Sequence, residues 1–307
     1  MSRIKPKVLK PGDCIAVTAP AGHGEIHLNQ AVRRLENLGL RVRLGGTLQK
    51  RNGYLAGSDQ ERADELNALF ADPDVHGIIC ARGGYGTARI ADLLDYEQIR
   101  ANPKLFWGYS DITFLHTAIG QKSNLVTFHG PMMICLGKDQ VHPLTLRSLE
   151  QMVEPQPIHY TEELSPLQVL TEGRAEGRIV GGNLSLIASS IGTPYEIDTS
   201  GCLLLLEEIG EEPYRIDRML NQLKMAGKLQ DASGFIIGDF TDCEPRKAGS
   251  SFTLQEVLEH YIGSAGKPAM SGFRIGHGSP NIAIPLGVSA VLDTAEKSLK
   301  LLESGCV

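Results

Sequence analysis

A serine stands where an apolar run ends in glycine and a helical pattern begins. In LFWGYSDITFLH, residues 105–116, the run stops at Gly108, Tyr109-Ser110-Asp111 follow, and Ile112, Phe114, Leu115 and Ala118 then take helical spacing. A strand-to-helix corner of this kind presents a hydroxyl outward beside the unsatisfied N–H groups of a helix start, which suits a nucleophile. The competing reading is structural: Ser110 caps the helix and Asp111 complements its dipole. A serine hydroxyl attacks at neutral pH only with a base, usually histidine, that is itself oriented by an acid.

Nine histidines are available as the base. His116 lies six residues beyond Ser110 on the same predicted helix, more than a turn away, and His129, in TFHGP, closes a predicted strand. His277 stands apart, because in RIGHGSPN it sits between Gly276 and Gly278, small neighbours that leave the imidazole accessible. The others fall in turns or on polar faces. For the acid, CLLLLEEIGEEPYRIDRML drives an apolar strand into Glu207, Glu208, Glu211 and Glu212. Neighbouring strand residues point to opposite faces, so Glu207 and Glu208 cannot serve one partner, and alternation alone does not choose between them. In ARGGYG, residues 81–86, Gly83 and Gly84 let backbone N–H groups approach a substrate closely, as an oxyanion hole requires. The stretch matches neither GxGxxG nor GxxxxGK[ST]. Asn183, in VGGNLSLIASSIGTP, reads as a helix cap rather than a ligand. The order serine, acid, histidine is that of α/β-hydrolases. The corner, however, is Gly-Tyr-Ser-Asp-Ile, with Ile112 where GxSxG has its last glycine, and this argues against an ordinary α/β-hydrolase.

The elements around these residues follow a βα rhythm. CIAVTAP predicts a buried strand, HLNQAVRRLENLG a helix stopped by Gly39, and LRVRLGG a second strand. SDQERADELNALFAD opens with a capping box, Ser58 with Glu61, and lines up Ala63, Leu66, Leu69 and Phe70 on one face. VHGIICARGGYG and the Ser110 segment supply further strands that end at the glycine turn and at the serine. The predicted fold class is α/β: an N-terminal parallel sheet flanked by helices, with sites at the C-terminal ends of its strands, plus a smaller mixed α/β C-terminal domain. The pattern changes at Glu154-Pro155-Gln156-Pro157, which places a nucleophile-bearing domain at 1–155 and a domain carrying acid and base at 156–307. Beyond the change come EGRIVGG, GCLLLLEE, a helix opened by Pro213 and closed by Gly227, GFIIGDF, and a tail of short strands and turns.

Composition bounds the function class. Thirty basic against 36 acidic residues give a net charge of −6 with no long run of either sign, so nucleic acid is not an expected partner. No apolar stretch at the N-terminus has signal-peptide length and none elsewhere reaches membrane-spanning length; the expectation is a cytoplasmic protein without a membrane partner. The six cysteines are scattered and read as thiols in a reducing compartment. No CxxC, HExxH or Cys/His cluster appears, so neither a metal nor a cofactor is expected.

Taken in order, CARGGYG, FWGYSDITFLH, FHGPM, VGGNLSL, LLLLEEIGEEPYRIDRML and RIGHGSPN resemble the successive motifs of the LD-carboxypeptidases, serine peptidases that trim murein peptides in the bacterial cytoplasm. The resemblance runs from about Ile15 to Leu292 and is strongest to murein-peptide carboxypeptidases of Gram-positive type. It implies Ser110 as nucleophile, Glu207 as acid and His277 as base, with an active site in a groove between the domains. Backbone N–H groups of Asp111, Gly83 and Gly84 would form the oxyanion hole. It further implies a murein tetrapeptide as substrate, cut between the L-centre of its diamino acid and the terminal D-alanine, no cofactor, and a homodimer. Glu208 departs from the aspartate that many relatives carry, keeping the charge. The chain is also similar to microcin-immunity peptidases, which cleave an amide in a peptidyl-nucleotide and usually carry extra aromatics for base stacking. Here the single tryptophan, Trp107, falls on a predicted buried strand. A catalytically silent murein-peptide binder is a third reading, opposed by the presence of all three triad residues.

Overall fold

The runs CIAVT, GIIC and LFWG are apolar but for the closing Thr18, as strands covered on both faces are expected to be. In a computed structural model describing residues 3–25, 27–247 and 249–307, they are the buried strands Cys14–Thr18, Gly77–Cys80 and Leu105–Gly108. They lie side by side in a six-stranded sheet of order Ile284–Leu286, Thr127–His129, Leu105–Gly108, Gly77–Cys80, Cys14–Thr18, Arg41–Leu44. All pairings are parallel except that of Ile284–Leu286 with Thr127–His129. The helix Asp59–Ala71 begins at the predicted capping box, with Ser58 and Glu61 satisfying each other's backbone N–H groups. Its residues Ala63, Leu66, Leu69 and Phe70 share one core with Ala16, Ile78 and Phe106 of the strands and with Ile112, Leu115 and Ile119 beyond Ser110. The helix after the serine corner, Thr113–Lys122, is therefore pinned to the sheet by its apolar face.

A second sheet has eight strands in the order His159–Tyr160, Ser298–Leu301, Ser289–Asp293, Arg174–Asn183, Cys202–Ile209, Gly234–Thr241, Ala269–Ser271, Gln168–Thr171. Its four consecutive strands from Arg174–Asn183 to Ala269–Ser271 are parallel, and the flanking ones are antiparallel. Leu203 to Leu206 are all fully buried, so both faces of Cys202–Ile209 are covered. On one face Leu204 and Leu206 pack with Ile216, Leu220 and Leu223 of the helix Pro213–Met225 and with Val257 and Leu258 of Leu254–Tyr261.

The chain divides into two compact units, one of Met1–Gln156, Pro280–Gly287 and Ser304–Val307, the other of Pro157–Ser279 and Val288–Glu303. This corrects the expected boundaries of 1–155 and 156–307 in one respect. Two C-terminal segments return to the first unit, because Ile284–Leu286 completes its sheet and Val307 exchanges backbone hydrogen bonds with Pro6 and Val8, at 3.0 and 2.9 Å. Among the described residues no helix is long and apolar enough to cross a membrane.

Candidate active site

Ser110 follows the strand Leu105–Gly108 and takes a φ of +65°, the left-handed region that L-residues with a Cβ avoid. Strain of order 1 kcal/mol is kept there because the corner is held on every side. Gly108 leaves little room for a side chain, since a Cβ there would meet Ile112 and Cys80 at 3.0–3.1 Å and press on them. Ile112 thus occupies the space a GxSxG corner keeps open. The Gly108 carbonyl accepts from Gly130 N–H at 3.0 Å and from His116 Nε2 at 2.8 Å. His116 is therefore a brace and not a base: it must carry its proton on Nε2, and burial pushes its pKa down to about 4. The capping reading of Ser110 does not hold either. The cap positions of the two successive turns fall on Tyr109 and Ile112, and neither has a side-chain cap hydrogen bond. Asp111 is buried, and its carboxylate and carbonyl accept from Thr87 N–H at 2.9 Å and Thr87 Oγ1 at 2.5 Å, tying the corner to the glycine turn. Burial raises the Asp111 carboxyl above its ordinary value against the pull of those bonds.

The glycine turn comes up against the serine. A Cβ on Gly83 would stand 2.9 Å from both Cβ and Oγ of Ser110 and 3.3 Å from the Asp111 nitrogen, so only glycine fits beside the hydroxyl. The Gly83 carbonyl accepts from Gly22 N–H at 3.3 Å, and peptide planarity then turns the Gly84 N–H the opposite way, away from Gly22. The sequence singles out these glycines for the close approach of their backbone N–H groups to a substrate. The requirement of Gly83 for space against Ser110, 27 positions along the chain, carries no local signal.

In the second unit the structure brings Glu207 and His277 together: Nδ1 of the imidazole lies 2.7 Å from Glu207 Oε2. A carboxylate only accepts, so Nδ1 carries the proton and Nε2 is the basic nitrogen. Glu207 is delivered by the apolar strand Cys202–Ile209 and is fully buried. His277 is held by the segment before it. Phe273 and Ile275 are fully buried, Arg274 N–H donates to Tyr160 Oη at 2.7 Å, and Ile275 O accepts from Asp239 N–H at 2.9 Å. Two glycines let this segment close over the acid. A Cβ on Gly276, at φ +133°, would fall 2.6 Å from Glu207 Oε2, and one on Gly238 would fall 2.3 Å from Ile275 O and 3.2 Å from Glu207 Cβ. Gly238 lies where the pairing of Gly234–Thr241 with Cys202–Ile209 shifts register, between Ile237 and Phe240.

Burial raises the Glu207 carboxyl above its ordinary value, with His277 pulling the other way. For His277, burial opposes the imidazolium, but the Glu207 bond and the charges of Glu207, Glu208 and Asp239 together carry its pKa above the ordinary value. Glu208 faces away from Glu207, as alternation requires. It accepts from Asn183 Nδ2 at 2.9 Å, Ser185 N–H at 2.8 Å, Ser185 Oγ at 2.7 Å and Ile209 N–H at 2.8 Å. Asn183 caps the helix Leu184–Ser190, accepting from Leu186 N–H at 3.3 Å, as its position in the sequence suggests. Asp239 was not singled out in the sequence. Its Oδ1 lies 3.2 Å from Arg274 Nη1, and a Cβ on Gly278 would press on its carboxylate at 2.5 Å.

A serine corner with a glycine turn against its hydroxyl, and a buried carboxylate paired with imidazole, define the parts of a serine hydrolase. Family models assign the class more closely: residues 15–130 match the LD-carboxypeptidase N-terminal domain and residues 176–292 the LD-carboxypeptidase C-terminal domain. The chain belongs to the LD-carboxypeptidase family and is a serine-type carboxypeptidase. It is 55% identical to a probable murein peptide carboxypeptidase of Bacillus subtilis, over 98% of this chain and 95% of that one. It is 32% identical to the murein tetrapeptide carboxypeptidase of Pseudomonas aeruginosa, over 91% and 92% of the two. Among solved structures, the microcin C7 self-immunity protein MccF superposes with a TM-score of 0.88 at 27% identity, covering 99% of this chain and 100% of that one.

Proposed function

We propose that this protein removes the terminal D-alanine from murein tetrapeptides in the cytoplasm, cutting the amide at the L-centre of the diamino acid during recycling of cell-wall peptides. In this reading Ser110 of the first unit and the Glu207–His277 pair of the second act as one triad. His277 Nε2 takes the Ser110 proton, and the oxygen attacks the amide carbonyl. Glu207 stabilises the imidazolium that results. The N–H groups of Asp111, Gly83 and Gly84 receive the oxyanion, His277 then protonates the leaving D-alanine nitrogen, and water resolves the acyl-enzyme by the reverse sequence. The observation that carries the reading is the 2.7 Å Nδ1–Oε2 bond, which leaves Nε2 as the base in a chain of carboxypeptidase ancestry. A homodimer, which the family resemblance implies, belongs to the same reading.

The fold similarity to MccF supports a second reading, cleavage of a peptidyl-nucleotide amide. Trp107 does not serve it: its ring is fully buried, stacked on Phe128 at 5.3 Å, with Nε1 donating to Pro131 O at 2.9 Å. The test is incubation with murein tri-, tetra- and pentapeptides of diaminopimelate and lysine type and with an aspartyl sulfamoyl adenosine, with mass-spectrometric detection. D-alanine from the tetrapeptides alone is the expected product. Turnover of the nucleotide conjugate with intact tetrapeptides would reverse the choice.

A further inference from the structure

Three arginines surround the glycine turn, and two are committed to holding it. Arg62 is fully buried and donates to Pro20 O at 2.5 Å, to Gly86 O at 2.9 Å and to Asp59. Arg89 grips the same Asp59 through both carboxylate oxygens. Arg82 differs. Among the described residues it has neither a hydrogen-bond nor an ion-pair partner, its Nε is fully buried, and its side chain is only partly exposed. The guanidinium lies on Gly24, where a Cβ would come within 1.7 Å of Nη1 and 3.0 Å of Cζ. That glycine belongs to the loop whose Gly22 N–H donates to Gly83 O. Arg82 itself immediately precedes Gly83, the residue packed against Ser110 Oγ.

A half-buried guanidinium with no acceptor is costly unless a ligand supplies one. A carboxypeptidase substrate brings such an acceptor to this place. The terminal carboxylate is three bonds from the carbonyl carbon under attack, so it lies within about 4 Å of it whatever the peptide conformation. We propose that Arg82 binds the C-terminal carboxylate of the peptide substrate and thereby restricts cleavage to the last bond of the chain. The proposal rests on the carboxypeptidase reading above. It also fits the chemistry of the residue, because the planar guanidinium meets a carboxylate through two parallel N–H···O bonds that a lysine ammonium does not reproduce.

The experiment measures binding to the Ser110→Ala protein, which holds the peptide without cutting it. The probes are a murein tetrapeptide ending in D-alanine and the same peptide ending in D-alaninamide, and release of D-alanine by the unmodified enzyme is measured in parallel. The expected result is an acid-over-amide preference of about 100-fold, lost in Ser110→Ala/Arg82→Met and reduced to about 10-fold in Ser110→Ala/Arg82→Lys. Affinity for the amide should stay unchanged throughout, which a merely structural role of Arg82 would not give. A preference that survives Arg82→Met overturns the proposal and leaves the carboxypeptidase reading standing. So does a parent that shows no preference while the unmodified enzyme releases D-alanine. Absence of both binding and D-alanine release overturns the two together.

Discussion

At the scale of the residue, turnover in the proposed mechanism depends on the protonation of one imidazole. In that mechanism His277 acts as a base only when neutral, and its pKa is raised by the Glu207 bond and the charges of Glu207, Glu208 and Asp239 acting against burial. Turnover must therefore rise with pH through that raised value, and the acid limb of kcat/KM should lie above the ordinary histidine value of about 6.5. Glu207→Gln removes the charge that favours the imidazolium and offers Nδ1–H a weaker acceptor. It should lower kcat by about 10³-fold or more and move the acid limb of the residual activity downward. A limb at or below 6.5 in the unmodified enzyme, or one that Glu207→Gln leaves in place, would remove Glu207 from its role. Residue chemistry was partly legible beforehand. Ser110 was visible because an apolar run, a glycine and a helical pattern meet there. The choice of Glu207 over Glu208 was not, since alternation puts them on opposite faces without saying which face carries the histidine.

Elements decide what the second glutamate does. Glu208 leaves the same strand on the other face and gathers four hydrogen bonds, one from the first-turn N–H of Ser185 and one from Asn183, which caps that helix. Its amide would turn an NH2 group toward a donor at one of these positions. Glu208→Gln should therefore cost about 2 kcal/mol of stability, read as a lowered denaturation midpoint, while turnover per folded molecule falls only a few-fold. Full stability, or a loss of turnover as deep as that of Glu207→Gln, would contradict this division of labour. The strand and its charged end were legible, because five apolar residues running into paired acids have one natural reading. The donor set of Glu208 was not, since three of its four donors come from Asn183 and Ser185, on a different strand and helix. The same limit hid the glycines at 238 and 276: their need for space against Glu207 arises only once the loop before His277 has folded over the sheet.

For the whole molecule, the α/β alternation of the first half, the change near residue 155 and the mixed second half could be read from periodicity and turn chemistry. The return of Pro280–Gly287 to the first unit could not, because a three-residue strand in a turn-rich tail does not announce its partner. The proposed triad draws on both units: Ser110 comes from one, Glu207 and His277 from the other, and the proposal has the three act as a single catalytic device. Residues that act as one unit give losses that do not multiply. The most direct measurement is the rate of D-alanine release from a murein tetrapeptide by Ser110→Ala, Glu207→Ala, His277→Ala and the triple variant. Circular dichroism should accompany it, because His277→Ala leaves the buried Glu207 without its imidazole. Each single substitution should lower turnover by about 10⁴-fold or more, and the triple variant should be little worse than the worst single one. Losses that multiply across the three, or a Ser110→Ala protein that still releases D-alanine at a near-normal rate, would contradict the account.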